Sequence, residues 1–274
     1  MAKKVKIVLV TSGGMNGRRL SYLFSKNNIS YELLTVSFPL PKKRKINRIS
    51  FIKKYIKGIF SNFRILRYLK MRNLPKYPIK AEFIGRLNSE RMFENLKNKS
   101  PDYIFMMGGG ILKDYIIDTA NEGVLNAHPG ILPYIRGVDA IKHSILKDIP
   151  IGVTGHFIDS GIDTGAIIER YWLPVESNNT LDEIVSKSND LCVAVMVKFA
   201  FDIIDGKKLS TTPNNKKHAL CKKISNEKNK IAHQKFKNNW HITHKKSLSK
   251  IKNLNSGLEL LKQYEEWWKG IEKF

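Results

Sequence analysis

The sequence predicts an α/β protein with a doubly wound, mostly parallel sheet, a basic helical insertion and a helical C-terminal tail. Short continuous apolar runs, typical of strands buried on both faces, alternate along the chain with segments whose apolar residues have helical spacing. Glycine-containing turns separate runs from helices, as in βαβ units. A chain of 274 residues suffices for one core, so we expect a main domain over 1–210 and an extension over 211–274.

The elements follow in order from these patterns. A strand at 5–11, a glycine turn at 12–17 and a helix at 18–26 form the first unit. Further strands are predicted at 31–37, 103–107, 123–126, 152–158 and 166–173, and helices at 82–99, 111–120, 138–147, 180–205 and 254–271. The 82–99 helix should start near Asn88 or Ser89, and Thr180 with Glu183 forms a capping-box signature. Segment 216–252 has no clear period, so we expect it to be partly mobile.

The insertion at 42–80 interrupts the alternation of strands and helices. Ile49, Ile52 and Ile56 recur at helical spacing, and the segment holds 14 basic and no acidic residues. It is predicted to be a basic amphipathic helix. Two interpretations stay open: weak docking on RNA or an anionic membrane, or a solvated helix packed on the core.

The net charge of +24 is unevenly distributed. Residues 101–213 hold 9 basic and 15 acidic side chains, whereas 214–253 hold 12 basic residues against Glu227 alone. The basic excess therefore lies outside the central region, which argues against nucleic acid as the partner of that region.

The sequence also indicates where in the cell the protein is expected. The N-terminus lacks the features of a signal peptide, and no apolar stretch approaches the roughly 20 residues of a membrane span. Cys192 and Cys221 stand apart, without CxxC or histidine clusters. We expect a soluble, cytoplasmic protein without disulfides or a metal.

Three polar residues suggest chemistry. Asn126 and His128 stand at the end of a predicted strand, where open parallel sheets bind ligands, and Asp163 lies in a glycine-flanked turn. Singly, each is an ordinary turn or loop residue. Together, the Asn126 amide and a protonated His128 can stabilise the oxyanion formed when an amine attacks a carbonyl, while Asp163 raises the basicity of the histidine. Such a site requires neither a nucleophilic serine or cysteine nor a metal.

The segment from Ile104 to Leu173 resembles the folate-dependent formyltransferases, which include glycinamide ribonucleotide transformylase, methionyl-tRNA formyltransferase and nucleotide-sugar N-formyltransferases. The resemblance is carried by Asn126-x-His128-Pro, Leu132-Pro-x-x-Arg136-Gly, Gly152-Val-Thr and Asp159-x-Gly-x-Asp163-Thr-Gly, in this order. It implies a Rossmann-like fold, a catalytic trio of Asn126, His128 and Asp163, and a cis peptide before Pro133.

The same resemblance implies the binding sites. The co-substrate would be 10-formyltetrahydrofolate, without a metal, held by two segments: Met107, Gly108, Gly109, Gly110, Ile111 and Leu112 in the first, and Ile158, Asp159, Ser160, Gly161 and Ile162 in the second. Acceptor contacts would come from Gly13, Gly14 and Asn16, although the spacing of this loop departs from the phosphate loop of the ribonucleotide enzyme and a plain strand-to-helix turn is the alternative. Arg136 would contact an acceptor phosphate or carboxylate, or stabilise its own loop.

The resemblance favours a nucleotide-linked amino sugar as the amine, and thus a role in surface polysaccharide or lipopolysaccharide biosynthesis. The alternatives are phosphoribosylglycinamide, methionyl-tRNA and hydrolysis of the donor. The tail does not have the alternating strands of the β-barrel that the transfer-RNA enzyme carries. Its aromatic residues Tyr264, Trp267 and Trp268 are predicted to pack on the core or to form the contact of a homodimer.

Overall fold

A computed structural model describes residues 5–37, 75–108, 110–214 and 218–269. Its strands are β1 (Ile7–Thr11), β2 (Glu32–Ser37), β3 (Glu82–Arg86), β4 (Tyr103–Met107), β5 (Gly123–His128), β6 (Arg136–Gly137), β7 (Gly152–Phe157), β8 (Ile167–Trp172), β9 (Leu220–Cys221) and β10 (Asn255–Ser256). Eight of these form one sheet in the order β10-β8-β7-β5-β4-β1-β2-β3, and β6 pairs with β9. Only β7 runs antiparallel to its neighbours in the eight-stranded sheet.

The helices cover both faces of the sheet. They are α1 (Met15–Lys26), α2 (Glu90–Lys99), α3 (Asp114–Ile117), α4 (Ala140–Lys147), α5 (Leu181–Ile204), α6 (Asn226–Lys237), α7 (Trp240–Ser247) and α8 (Gly257–Trp268). A 3-10 turn, Leu248–Lys250, follows α7. The predicted fold class, an α/β protein with a mostly parallel sheet, is confirmed.

Strand β1 explains why the apolar runs are continuous. All five of its residues are buried, and alternate side chains enter different cores. Leu9 packs in the core that α1 and α5 cover, whereas Val8 and Val10 pack with Met92 of α2 in the core on the opposite face. Strand β1 is therefore almost entirely apolar, because neither of its faces is exposed to solvent.

Helix α5 begins as predicted. The Thr180 hydroxyl accepts a hydrogen bond from the Glu183 backbone N–H at 3.2 Å, and the Glu183 carboxylate accepts one from the Thr180 N–H at 2.8 Å. The helix lies so close to β7 that a Cβ on Gly155 would stand 2.3 Å from the Phe199 ring. A glycine is thus required where the long helix crosses the strand.

The prediction of a helix over 82–99 was wrong over its first residues. Residues 82–86 form edge strand β3 and not the first turns of a helix, because they pair with β2. Helix α2 begins after Ser89, near the predicted start, and the Ser89 hydroxyl accepts a hydrogen bond from the Met92 N–H. Segment 216–252, expected to be partly mobile, contains α6 and α7 within its described part. The predicted insertion helix lies mostly outside the described residues, and its described end, 75–80, has no helix.

The C-terminal extension shares the core of the main domain. Trp240 is 1% exposed and belongs to the same apolar cluster as the central strands. Strand β10 pairs with β8 at one edge of the sheet, and α8 packs on α5 through Leu260 and Tyr264. The core therefore continues across position 210. Within the described ranges, none of the helices combines the length and apolar character needed to cross a membrane.

His244 of α7 joins the extension to the sheet. Its Nε2–H donates to the Leu173 carbonyl at 2.9 Å, which leaves Nδ1 to accept from the Ile151 N–H at 3.3 Å. Burial lowers the pKa of His244 from 6.5 to about 4, although the bond to Leu173 partly opposes the shift. The folded protein therefore holds this imidazole neutral.

We expect this arrangement to make stability sensitive to acid. Between pH 6.5 and about pH 4, His244 is protonated in the unfolded chain but neutral in the folded protein. The free energy of unfolding therefore falls as the pH falls through this window. Replacing His244 with glutamine should reduce the loss of unfolding free energy between pH 7 and pH 5 by about 2 kcal/mol. Urea unfolding at both pH values measures it, and equal losses in the two proteins would contradict it.

Candidate active site

Asn126 and His128 project from the same face of β5. Leu125 and Ala127 pack into the core beneath α5, and the two polar residues alternate with them on the other face. Asp163 lies in the turn between β7 and β8, a segment that folds back over β5. The structure thus brings the three residues proposed from the sequence into one cluster.

The orientation of the Asn126 amide is set by His156. The Nδ1–H of His156 donates to the Phe157 carbonyl at 2.7 Å, so its Nε2 can only accept. The Asn126 nitrogen lies 3.2 Å from that Nε2 and donates one hydrogen to it. Burial, which has the largest effect, lowers the pKa of His156 to about 4, so the ring stays neutral and keeps accepting. The second amide hydrogen of Asn126 remains available to a ligand.

His128 presents a single nitrogen to the site. Its Nε2–H donates to the Ile135 carbonyl at 2.9 Å, and its Nδ1 stands 3.5 Å from Oδ2 of Asp163. Burial lowers the pKa of His128, and the charge of Asp163 opposes that shift only in part. The resting imidazole is therefore neutral. Gly130 permits this placement, because a Cβ there would lie 2.8 Å from the Nε2 of His128.

The Asp163 carboxylate faces both imidazoles. Its Oδ2 accepts from the Gly137 N–H at 2.7 Å, and its Oδ1 lies 3.9 Å from Nε2 of His156. The backbone of Asp163 has a φ of 51°, in the left-handed region that is strained for most residues. The 3.5 Å between Oδ2 and Nδ1 of His128 exceeds a good hydrogen bond, so both atoms can contact one reacting group that lies beside them.

Thr154 holds the loop that follows β5. Its hydroxyl donates to the Gly130 carbonyl at 2.7 Å and accepts from the Leu132 N–H at 3.0 Å. The predicted cis peptide before Pro133 is confirmed.

The first segment proposed for the folate has an exposed backbone. Gly108 and Gly110 have φ values of 75° and 117°, Ile111 is 57% exposed, and Met107 and Leu112 are buried. Gly109 lies outside the described residues. The exposed peptide groups can form hydrogen bonds with the edge of a flat heteroaromatic ring, and the exposed aliphatic side chain can pack on its face. These residues therefore fit a pterin.

The second segment, 158–162, is held from three sides. The Ile158 N–H donates to the Val124 carbonyl at 2.7 Å, and the Asp159 carboxylate accepts from the Gly161 N–H and the Thr164 hydroxyl. The Ile162 carbonyl accepts from Arg136. Ser160 is exposed at the tip of this turn. Hydrogen bonds therefore fix this loop beside the polar cluster.

The proposed acceptor residues are largely engaged within the protein. The Gly13 N–H donates to the Thr11 hydroxyl, and the Asn16 amide donates to the side chain of Asn189 at 3.0 Å. Gly14 is the exposed N-cap of α1. The guanidinium of Arg136 donates to backbone carbonyls, which supports the loop-stabilising alternative. Within the described ranges, no group of three or more histidine, cysteine or acidic residues is placed to hold a metal.

Two residues that contribute to this geometry had no assigned role in the sequence: Gly137 donates only through its backbone, and Asn214 belongs to the extension. His156, whose place in a predicted buried strand suggests a hydrogen-bonded core histidine, bonds Asn126 from the directly opposite position in the pairing of β5 with β7. For Asn214 the sequence offers no signal.

The segment that carries this cluster is similar to a known protein family. The family model described as formyl transferase matches residues 69–199. Methionyl-tRNA formyltransferase from Clostridium tetani is 30% identical over 164 residues, which are 59% of this chain and 51% of that protein. The chain spans about half or less of the length of the curated relatives it matches.

Solved structures share the fold. A 4-N formyltransferase from Francisella tularensis has a TM-score of 0.53 at 19% identity and covers 85% of this chain and 88% of its own. Glycinamide ribonucleotide transformylase 1 from Symbiobacterium toebii has a TM-score of 0.53 at 15% identity, over 78% of this chain and 96% of its own. Residues 69–199 of the chain therefore match the formyl transferase family, and the solved structures share its fold.

Proposed function

We propose that the chain transfers a formyl group from 10-formyltetrahydrofolate to the primary amine of a nucleotide-linked amino sugar. One observation carries the proposal. Nδ1 of His128 and Oδ2 of Asp163 lie 3.5 Å apart, beside an Asn126 amide that uses one of its two hydrogens on His156. A proton acceptor, a carboxylate and an oxyanion donor around one point are what acyl transfer to an amine requires.

Asn126 acts on the formyl oxygen. As the amine attacks, negative charge develops on this oxygen, and the free amide hydrogen of Asn126 stabilises it. The amide needs no reorientation during the reaction because its other hydrogen is fixed on His156. A donor aligned in advance in a buried site contributes about a hundred- to a thousandfold in rate.

His128 and Asp163 move the proton. The neutral Nδ1 of His128 accepts a proton from the attacking amine, and the Asp163 carboxylate stabilises the imidazolium that results. The proton then passes to the departing nitrogen of the donor as its bond to the formyl carbon breaks. One carbon–nitrogen bond forms and one breaks, and no net proton is gained or lost.

The choice of acceptor rests on three observations of this chain. Within 218–269 the strands are only β9 and β10, each of two residues, so this part has no β-barrel of the kind expected for transfer RNA. The Gly13 N–H and the Asn16 amide are bonded internally, which weakens the loop as a ribonucleotide phosphate site. The likeness to the Francisella tularensis 4-N formyltransferase extends over 85% of the chain, although it concerns the fold alone.

A panel of acceptors tests the proposal. The protein is incubated with 10-formyltetrahydrofolate and, in turn, with a nucleotide-linked 4-amino sugar, phosphoribosylglycinamide, methionyl-tRNA and no acceptor, and release of tetrahydrofolate is followed. We expect release only with the amino sugar. Release with another amine would overturn the choice of acceptor, and equal release without any acceptor would indicate a hydrolase.

A further inference from the structure

The C-terminal extension passes directly over the turn that carries Asp163. Thr212 and Ile167 exchange backbone hydrogen bonds in both directions, at 2.8 and 2.9 Å, which fixes the extension beside β8. Farther on, β9 pairs with β6, and the His218 carbonyl accepts from Arg136 at 3.1 Å. The strand that follows His128 and the turn of Asp163 are thus both in contact with residues beyond 210.

Within this crossing, Asn214 contacts the backbone of the turn. Its side-chain nitrogen lies 3.0 Å from the carbonyl oxygen of Asp163 and 3.0 Å from that of Gly165. A carboxamide nitrogen has two hydrogens, so each carbonyl receives one. The opposite orientation would face the amide oxygen toward two carbonyl oxygens, which excludes it.

The turn needs such contacts because its conformation is locally unfavourable. Asp163 has positive φ, and left-handed backbone is unfavourable for most residues other than glycine. Arg136 holds the preceding carbonyl, that of Ile162, and the Gly137 N–H holds the carboxylate itself. Asn214 adds a third contact, the hydrogen bond to the backbone carbonyl of Asp163.

We propose that Asn214 is a positioning residue that holds the Asp163 carboxylate at the reacting point beside His128. The inference rests on the proposed function. It assigns a role in the reaction to the extension over 211–274, which the sequence analysis separated from the catalytic domain. Asn214 acts through the backbone of the turn, and its side-chain nitrogen is bonded to carbonyls and not directed at the substrate.

The test uses Asn214→Leu, which keeps the shape and removes both donors. Asn27→Leu is the matched control, because Asn27 is also half-buried, also donates its amide to a backbone carbonyl, and lies at the end of α1. We expect kcat of the Asn214 variant to fall about tenfold to a hundredfold while both KM values stay within about twofold. The control should keep its kcat. Equal kcat values in the two variants would overturn the proposal.

A second measurement needs no acceptor and separates this proposal from the proposed function. The Gly137 N–H donates to the Asp163 carboxylate, so its proton chemical shift in the ligand-free full chain reports the position of that carboxylate. The resonance should move upfield in Asn214→Leu and in Asn214→Ala but stay in place in Asn27→Leu. An unchanged resonance overturns the positioning role whatever the enzyme does. A shifted resonance in a protein that transfers no formyl group supports the positioning of the turn and defeats the proposed function instead.

Discussion

Replacing Asn126 with leucine should lower kcat for formyl transfer by about a hundred- to a thousandfold. The variant keeps the size of the side chain but loses the hydrogen that stabilises the developing negative charge. Because that hydrogen acts mainly in the transition state, kcat should fall much more than KM rises. Steady-state kinetics with 10-formyltetrahydrofolate and a nucleotide-linked amino sugar measures both constants.

Asn121→Leu provides the control for this variant. The Asn121 amide also donates to a side chain, at 3.2 Å to Asp102, but it precedes β5, at the opposite end of that strand from His128. The substitution should leave kcat within about twofold, as for a surface position. An Asn126 variant that is folded, by its thermal denaturation, and retains more than a tenth of the activity would rule out the amide as the oxyanion donor.

Asp163→Asn should lower kcat by about a hundredfold or more, because the imidazolium of His128 then forms without a carboxylate beside it. Burial lowers the pKa of His128 and the charge of Asp163 raises it, so removing the carboxylate lowers this pKa further. Since His128 must be neutral to accept the proton, kcat falls as the pH drops through its pKa.

The acid limb of the kcat profile should therefore lie at lower pH in Asp163→Asn than in the wild type, on a lower plateau. Profiles of kcat between pH 5 and pH 8 measure this, and kcat is used because the free acceptor amine titrates as well. A limb that moves to higher pH would show that Asp163 does not act on His128 as described.

The central strands could be predicted because each carries its own signal. The run over 103–107 is buried on both faces, and the predicted and observed bounds agree. Edge strand β3 has one buried residue, Ile84, and contains Gly85, so nothing local distinguishes it from the start of the helix that follows. Its extended form depends on pairing with β2, which lies more than forty residues earlier in the chain.

Helices α6 and α7 could not be predicted for a related reason. Helix α6 has a single buried residue, Ala232, among lysines, so its hydrophobic period is almost absent. What holds this region in place is Trp240 in the main core and the two hydrogen bonds of His244 to the ends of β7 and β8. Both depend on contacts with residues far away in the sequence.

Some features of the candidate site could be predicted from the sequence, and others depend on the tertiary structure. Asn126, His128 and Asp163 could be proposed because strand ends and glycine-flanked turns are local features. The burial of His128 and its bond to the Ile135 carbonyl could not be predicted, because both follow from the tertiary structure. Nor could the internal bonds of Asn16 and Arg136, because their partners, such as Asn189 and Ile162, are known only from the tertiary structure.

The central claim is that the amide, imidazole and carboxylate surround one formyl carbon during its transfer between nitrogens. The most direct measurement follows that carbon: donor labelled with ¹³C in the formyl group is mixed with the protein and the amino-sugar nucleotide, and the products are identified by mass spectrometry and ¹³C NMR. We expect the label in a formamide on the sugar, and none there when Asp163 is replaced by asparagine in the same single-turnover time. Label found as formate, or on the sugar at equal rates in both proteins, would contradict the account.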